Sequence, residues 1–309
     1  MSRSPAAAPS GLQFTLELGR QAAVVTEVGA GLRRYTVDGR DVLDGYAADE
    51  MCSGARGQTF IPWPNRIADG RYAFDGGEHQ LPLTEPAAGN AIHGLTRWAN
   101  WHAVQANGHS VRLQLALRPQ PGYPFHLRCE LAYRLSGTGL TVETSATNVG
   151  PMPCPYATGA HPYLSAGAGT IDALTVRLPA DTYYPTDDRG IPVATTPVED
   201  TPFDLRRAEP LGDRVIDNAF SGLRRDDDGW TSVAVITLDG AEVVLRMDAA
   251  YRYVEIFTGD TLPEVERRRR GLGVEPMTCA PNAFRTGDGL LTLAPGQTHT
   301  ATWELRPAL

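Results

Sequence analysis

Short runs in which apolar and polar residues alternate, broken by turn residues, make up most of this chain. In SVRLQLALRP (from Ser110), FHLRCELAYRL (from Phe125) and GLTVETSATNVG (from Gly139), apolar side chains recur at every second position. That period predicts half-buried β-strands. Between Phe14 and Tyr46, apolar runs alternate with Gly and Asp-Gly turns, the pattern of successive hairpins. SVAVITLDGAEVVLRMD, YVEIFTGD and HTATWELRP continue it, with Asp239-Gly240 as a further hairpin turn. No long window carries the apolar stripe of an amphipathic helix. Strand signals return about every 8–12 residues, as in a sandwich or barrel. No internal repeat or low-complexity linker divides the chain. The reading is all-β: one large antiparallel β-sandwich domain over residues 11–309, behind a frayed N-terminal tail, 1–10.

Two stretches are poor strand formers, Cys52 to Glu85 (Gly, Pro and aromatics) and Ala180 to Asp213 (Pro, Asp and Thr). Long structured loops of this kind cover sites or cross sheet edges. The run EVERRRRG, Glu264 to Gly271, reads as a solvated loop between two strands.

Composition narrows the chemistry. With 309 residues and 42% hydrophobic content the chain can build a sizeable core. Its net charge of −8 argues against a general nucleic-acid surface. All 28 basic residues are Arg, because the sequence contains no Lys. A lysine Schiff base, a pyridoxal phosphate anchor and a P-loop lysine are therefore excluded. Cys52, Cys129, Cys154 and Cys279 form no CxxC pair, so they read as reduced, buried thiols rather than zinc ligands. No stretch approaches the roughly 20 apolar residues that span a bilayer. The expectation is a cytoplasmic protein without membrane or nucleic-acid partners.

Four segments set polar groups among Gly, Pro and aromatic residues. IPWPNRIADGRY offers Asn65 and Arg66; the Arg either stacks on Trp63 or aims its fork at ligand oxygens. NAIHGLTRW offers His93, YATGAHPYL offers His161 and VIDNAF offers Asp217 beside Asn218. GVEPMTCAPNAF adds Glu275, a lone carboxylate at the end of an apolar strand and followed by Pro276. Singly, each fits a packed or exposed residue. Together they suit acid–base chemistry on a polyhydroxylated ligand: His works near neutrality, a carboxylate serves as base, and Arg, Asp and Asn hold hydroxyls. The GxSxG elbow of a serine hydrolase and the HExxH of a zinc protease are both absent from the sequence.

Six motifs in this order, NRIADGRYAFDG, NAIHGL, GAHPYL, DNAF, FTGD and GVEPMTCAPNAF, resemble the aldose 1-epimerases, or galactose mutarotases, over nearly the whole chain. The resemblance implies a galactose-mutarotase-like β-supersandwich that takes a monosaccharide and needs no cofactor or metal. It implies Glu275 as catalytic base and His161 as catalytic acid. Arg66, His93 and Asp217 would hold and polarise the sugar, with Asn65 beside them. The forms FTGD and VEPMT look more like a bacterial subgroup than the galactose-specific members, which often carry His at the position of Asn218. Alternatives are a mutarotase for a sulfonated or phosphorylated hexose, a glycoside hydrolase or polysaccharide lyase, and a non-catalytic sugar-binding module.

Overall fold

The computed structural model describes residues 8–167 and 169–308. Two antiparallel sheets dominate it. The nine-stranded sheet has the order His102–Asn107, Ser110–Leu117, Leu127–Ser136, Gly139–Asn148, Thr298–Ala308, Glu242–Met247, Thr231–Ile236, Thr175–Arg177 and Glu209–Pro210. The alternation read from the sequence appears directly: along Leu127–Ser136 the apolar positions are buried and the intervening ones more exposed. The eight-stranded sheet runs Thr196–Pro197, Thr182–Tyr183, Asp217–Ser221, Tyr253–Phe257, Gly271–Met277, Gly159–Ala160 and Thr59–Phe60; Tyr163–Ser165 also pairs with Gly271–Met277. The N-terminal hairpins form a separate four-stranded sheet of Gln13–Leu18, Gln21–Thr26, Leu32–Val37 and Arg40–Asp41. The single α-helix among the described residues is Ala283–Thr286. No helix is long and apolar enough to cross a membrane. Of the expected tail, residues 1–7 lie outside the described residues; Ser10 is buried, and its carbonyl accepts a hydrogen bond from the Val28 N–H at 3.0 Å.

Both large sheets contribute to one hydrophobic core. Leu131, Val142 and Trp303 face it from the nine-stranded sheet, and Phe220, Val254, Ile256 and Val274 from the eight-stranded one. Because side chains alternate across a strand, the odd-numbered positions of the second sheet turn to its other face. These are Asp217, Glu255, Phe257, Gly273 and Glu275. That face is roofed by chain rather than by water, and every residue of Gly271–Met277 is buried.

Three sequence expectations are corrected. Cys52 to Glu85 is not strand-poor throughout: Arg71–Phe74 and Gly77–Gln80 form a hairpin, and Arg66–Ala68 pairs with Asn90–Ile92. These three- and four-residue strands are too short for alternation to show, and Arg66–Ala68 also depends on a partner more than 20 residues away. The Arg run is not simply solvated. Arg269 is 16% exposed, pairs with Asp260 at 3.0 Å and donates to the Gly212 carbonyl at 2.7 Å, which fastens the loop. Glu275 is not at the strand end, and Pro276 lies inside Gly271–Met277. The Val274 N–H donates to the Pro162 carbonyl. By alternation Pro276 turns its nitrogen the same way, toward the broken edge, so no bond to Tyr253–Phe257 is lost. The four cysteines are free and buried, as read from the sequence.

Candidate active site

The break at His161 and Pro162 makes the site. Gly159–Ala160 pairs with Gly271–Met277 on one side of it, and Tyr163–Ser165 on the other. His161 lies in the gap, held by its own N–H to the Gln58 carbonyl at 3.0 Å and by its carbonyl from the Gly57 N–H at 2.9 Å. Its ring stacks on Tyr163, centroids 4.5 Å apart, and Nε2 meets Glu275 Oε1 at 3.1 Å. The Tyr163 hydroxyl donates to the Gly54 carbonyl, and the Arg56 guanidinium lies over the Tyr163 ring, 4.6 Å from its centroid.

Asn65 and His93 supply a second wall. Both have left-handed backbone (φ 53° and 62°), a conformation that costs energy for residues with a Cβ and persists where surrounding structure imposes it. The His93 N–H donates to the Asn65 carbonyl at 2.9 Å, and its ring stacks on Phe60 at 3.9 Å. Gly94 follows because a Cβ there would lie 2.4 Å from the Ile61 carbonyl oxygen. Arg66 does not stack on Trp63, whose ring packs edge-on against Phe284. Its Nε and Nη2 are held by the Glu85 carboxylate at 2.9 and 3.1 Å. Gly190, from the second loop-rich stretch, passes over this guanidinium; a Cβ would sit 2.8 Å from Nη1.

The six residues singled out in the sequence, Asn65, Arg66, His93, His161, Asp217 and Glu275, all line one cavity of about 210 Å³. Arg97, Tyr163 and Phe257 line it too and were not assigned from sequence. Asn218 points away, its Nδ2 donating to the Tyr184 carbonyl. A wider cleft of about 540 Å³ lies at Tyr184, Tyr253 and Asp288. Both of its tyrosine hydroxyls donate to Asp288. In the smaller cavity region, by contrast, His93 Nδ1, His161 Nδ1 and Glu275 Oε2 are buried without a partner among the described residues. Buried polar groups are normally satisfied, so this concentration marks where a polar ligand fits.

Electrostatics sharpen the picture. Burial pushes His161 down to about 3, with Arg56 and Arg97 adding to the effect. Burial pushes Glu275 well above the usual carboxylate range; Glu255 and Asp217 reinforce this and Arg66 opposes it. Both shifts disfavour charge, so across their 3.1 Å contact the neutral pair, with one proton between the two groups, is favoured. Burial likewise holds His93 neutral and raises Asp217. Glu255, not singled out from the sequence, is 3% exposed and lies directly opposite Glu275.

Residues 13–306 match the family model described as Aldose 1-epimerase. The chain is 35% identical to the Escherichia coli protein named Uncharacterized protein YihR over 94% of this chain and 91% of that one. It is 27% identical to an aldose 1-epimerase of Escherichia coli over 89% of this chain and 86% of the relative. A solved structure titled as the GalM/aldose epimerase homologue from C. elegans shares the fold, with TM-score 0.86, 19% identity and coverage of 96% and 98% of the two chains. The chain belongs to the aldose 1-epimerase family of isomerases.

Proposed function

We propose that this protein interconverts the α and β anomers of a monosaccharide, with Glu275 as base and His161 as acid. One observation carries the reading: Nε2 of His161 and Oε1 of Glu275 lie a single hydrogen bond apart, both buried. Two groups that close can serve two oxygens bonded to one carbon, which in a cyclic sugar are the anomeric hydroxyl and the ring oxygen. Burial favours the neutral pair, so the shared proton first passes from Glu275 to His161 across their 3.1 Å contact. The ionised Glu275 then takes the proton of the anomeric hydroxyl while protonated His161 gives its proton to the ring oxygen, and the C1–O5 bond opens. The free aldehyde turns about C1–C2. Closure on its other face returns both protons, leaving the enzyme unchanged. Because the pair holds one proton before and after, the cycle needs no outside acid or base. Arg66 and Asp217, with His93 and Asn65, hold the remaining hydroxyls.

A hydrolase would place two carboxyls on opposite sides of a scissile bond. Here Asp217, Glu255 and Glu275 rise from adjacent strands of one sheet face. A binding module would have no use for a buried acid–base pair, whose desolvation works against stability. The test is anomer-exchange NMR from pure α-anomers of neutral and anionic hexoses. Acceleration over buffer is expected with at least one sugar; none with any of them would overturn the reading. Arg66→Lys is expected to lower kcat/KM roughly 10-fold or more, since an ammonium cannot grip Glu85 at two points and still face the cavity. Wild-type kinetics in that variant would reduce Arg66 to a packing cation.

Arg97 favours a sugar with an anionic substituent. Its guanidinium lines the cavity, lies 5.4 Å from the Trp98 ring, and makes no hydrogen bond or ion pair among the described residues. Arg97→Met is expected to lower kcat/KM for a sulfonated or phosphorylated hexose by about 10–100-fold, the range of a charged hydrogen bond. Equal losses for neutral and anionic sugars would remove Arg97 as the anion receptor.

A further inference from the structure

Glu255 has no part in the acid–base steps above, yet it occupies the centre of the site floor. Strand Tyr253–Phe257 places it in direct register with Glu275 on one side and with Ala219, two residues from Asp217, on the other. Directly opposed residues project from the same face of a sheet, with Cβ atoms about 5 Å apart. Asp217 and Glu255 rise from the same face of adjacent strands, close enough for their carboxyls to interact, and two carboxyls can share a hydrogen bond only if one carries a proton. Glu255 Oε2 is buried without a partner among the described residues.

We propose that Glu255 is a positioning residue that works as a neutral carboxylic acid, donating its O–H to Asp217 and so holding Asp217 as the ionised group that grips a sugar hydroxyl. This rests on the reading of Glu275 as the base, because a neutral Glu255 is what permits a negative charge to develop across the strand at Glu275. The charged groups facing Glu255 are Glu275 and Asp217 from the neighbouring strands and Arg66 from Arg66–Ala68, with His161 reached only through Glu275. Arg66 is the single cation among them and is already engaged by Glu85. One cation cannot offset three buried carboxylates, so a proton remains in the trio. Burial, with Asp217 beside it, pushes Glu255 well above the usual carboxylate range. Asp217 is raised as well, but it is less buried than Glu255 and has Arg66 in its favour, so the retained proton is assigned to Glu255.

The experiment pairs Glu255→Leu and Glu255→Gln with infrared spectroscopy. Leu fills the space but removes the donor. It is expected to lower kcat/KM about 10-fold or more, mainly by raising KM, because Asp217 loses its charge-assisted hydrogen bond. Gln restores a neutral donor and should recover most of that loss. At neutral pH the wild-type-minus-Glu255→Gln infrared difference should contain a protonated-carboxyl carbonyl stretch, and the same band should appear when the comparison is made in the Glu275→Gln background, where Glu275 cannot contribute one. The proposal fails if the Glu275→Gln background shows no such band lost on Glu255→Gln, if Gln is as impaired as Leu, or if Leu matches wild type. The infrared result stands without any turnover, so it separates failure of this proposal from failure of the mutarotase reading. It also remains decisive if the Leu variant does not fold.

Discussion

Glu275→Gln is expected to slow anomer interconversion by about 10²- to 10⁴-fold, the usual contribution of a positioned acid or base. Gln keeps the shape and polarity of the side chain but cannot accept the anomeric proton. The structure says why nothing else takes over. Glu275 lines the cavity and its Oε2 has no partner among the described residues, while Glu255 does not line that cavity. The same substitution should leave the protein at least as stable as wild type. A carboxyl whose folded pKa is raised contributes its stability below its unfolded value and loses it as pH rises through the folded one. At neutral pH, above the ordinary 4.5, a raised Glu275 therefore opposes folding, and an uncharged isostere removes the penalty. Thermal melts beside polarimetry from a pure α-anomer, corrected for the spontaneous reaction, read both effects. A folded variant with near-normal catalysis would dismiss Glu275 as the base.

That trade of stability for reactivity is partly legible in the sequence. The six site residues stand out because each interrupts a Gly-, Pro- or aromatic-rich context, and short-range physics explains those contexts. Asn65 and His93 need left-handed turns, Gly94 allows close approach to Ile61, and Pro162 breaks the sheet where His161 must project. Strands were legible wherever alternation was long, as along Leu127–Ser136. What escaped depends on register between distant segments. Whether Glu255 faces water or Glu275 depends on how Tyr253–Phe257 pairs with a strand beyond a loop, and a slip of one residue would turn it to the other face. Arg97 and Arg269 escaped for a similar reason: an Arg reads as exposed until its carbonyl, carboxylate or cavity partner is in place. Pro276 misled because proline within a strand is normally a terminator. Here the strand's other edge is already broken.

His161→Asn is expected to cost at least about 10²-fold as well, because an amide can hydrogen-bond to the ring oxygen but cannot release a proton to it. The double variant with Glu275→Gln should be little slower than the worse single one. The two groups pass protons within one step, and residues that act as a unit are not additive. The pH profile supplies an independent check on the wild type. The reactive pair carries one proton. On the acid side a second proton must enter a site where burial resists a charged imidazole, so that limb falls below the ordinary histidine value of 6.5. On the alkaline side the shared proton must leave and strand an ionised carboxylate among others, so that limb rises above the ordinary 4.5 of a glutamate. The result is a bell whose limbs belong to the pair rather than to either residue. In each single variant the bell should collapse to one limb or to a flat residual rate. A bell that survives His161→Asn with both limbs in place would mean that some other group supplies the proton to the ring oxygen.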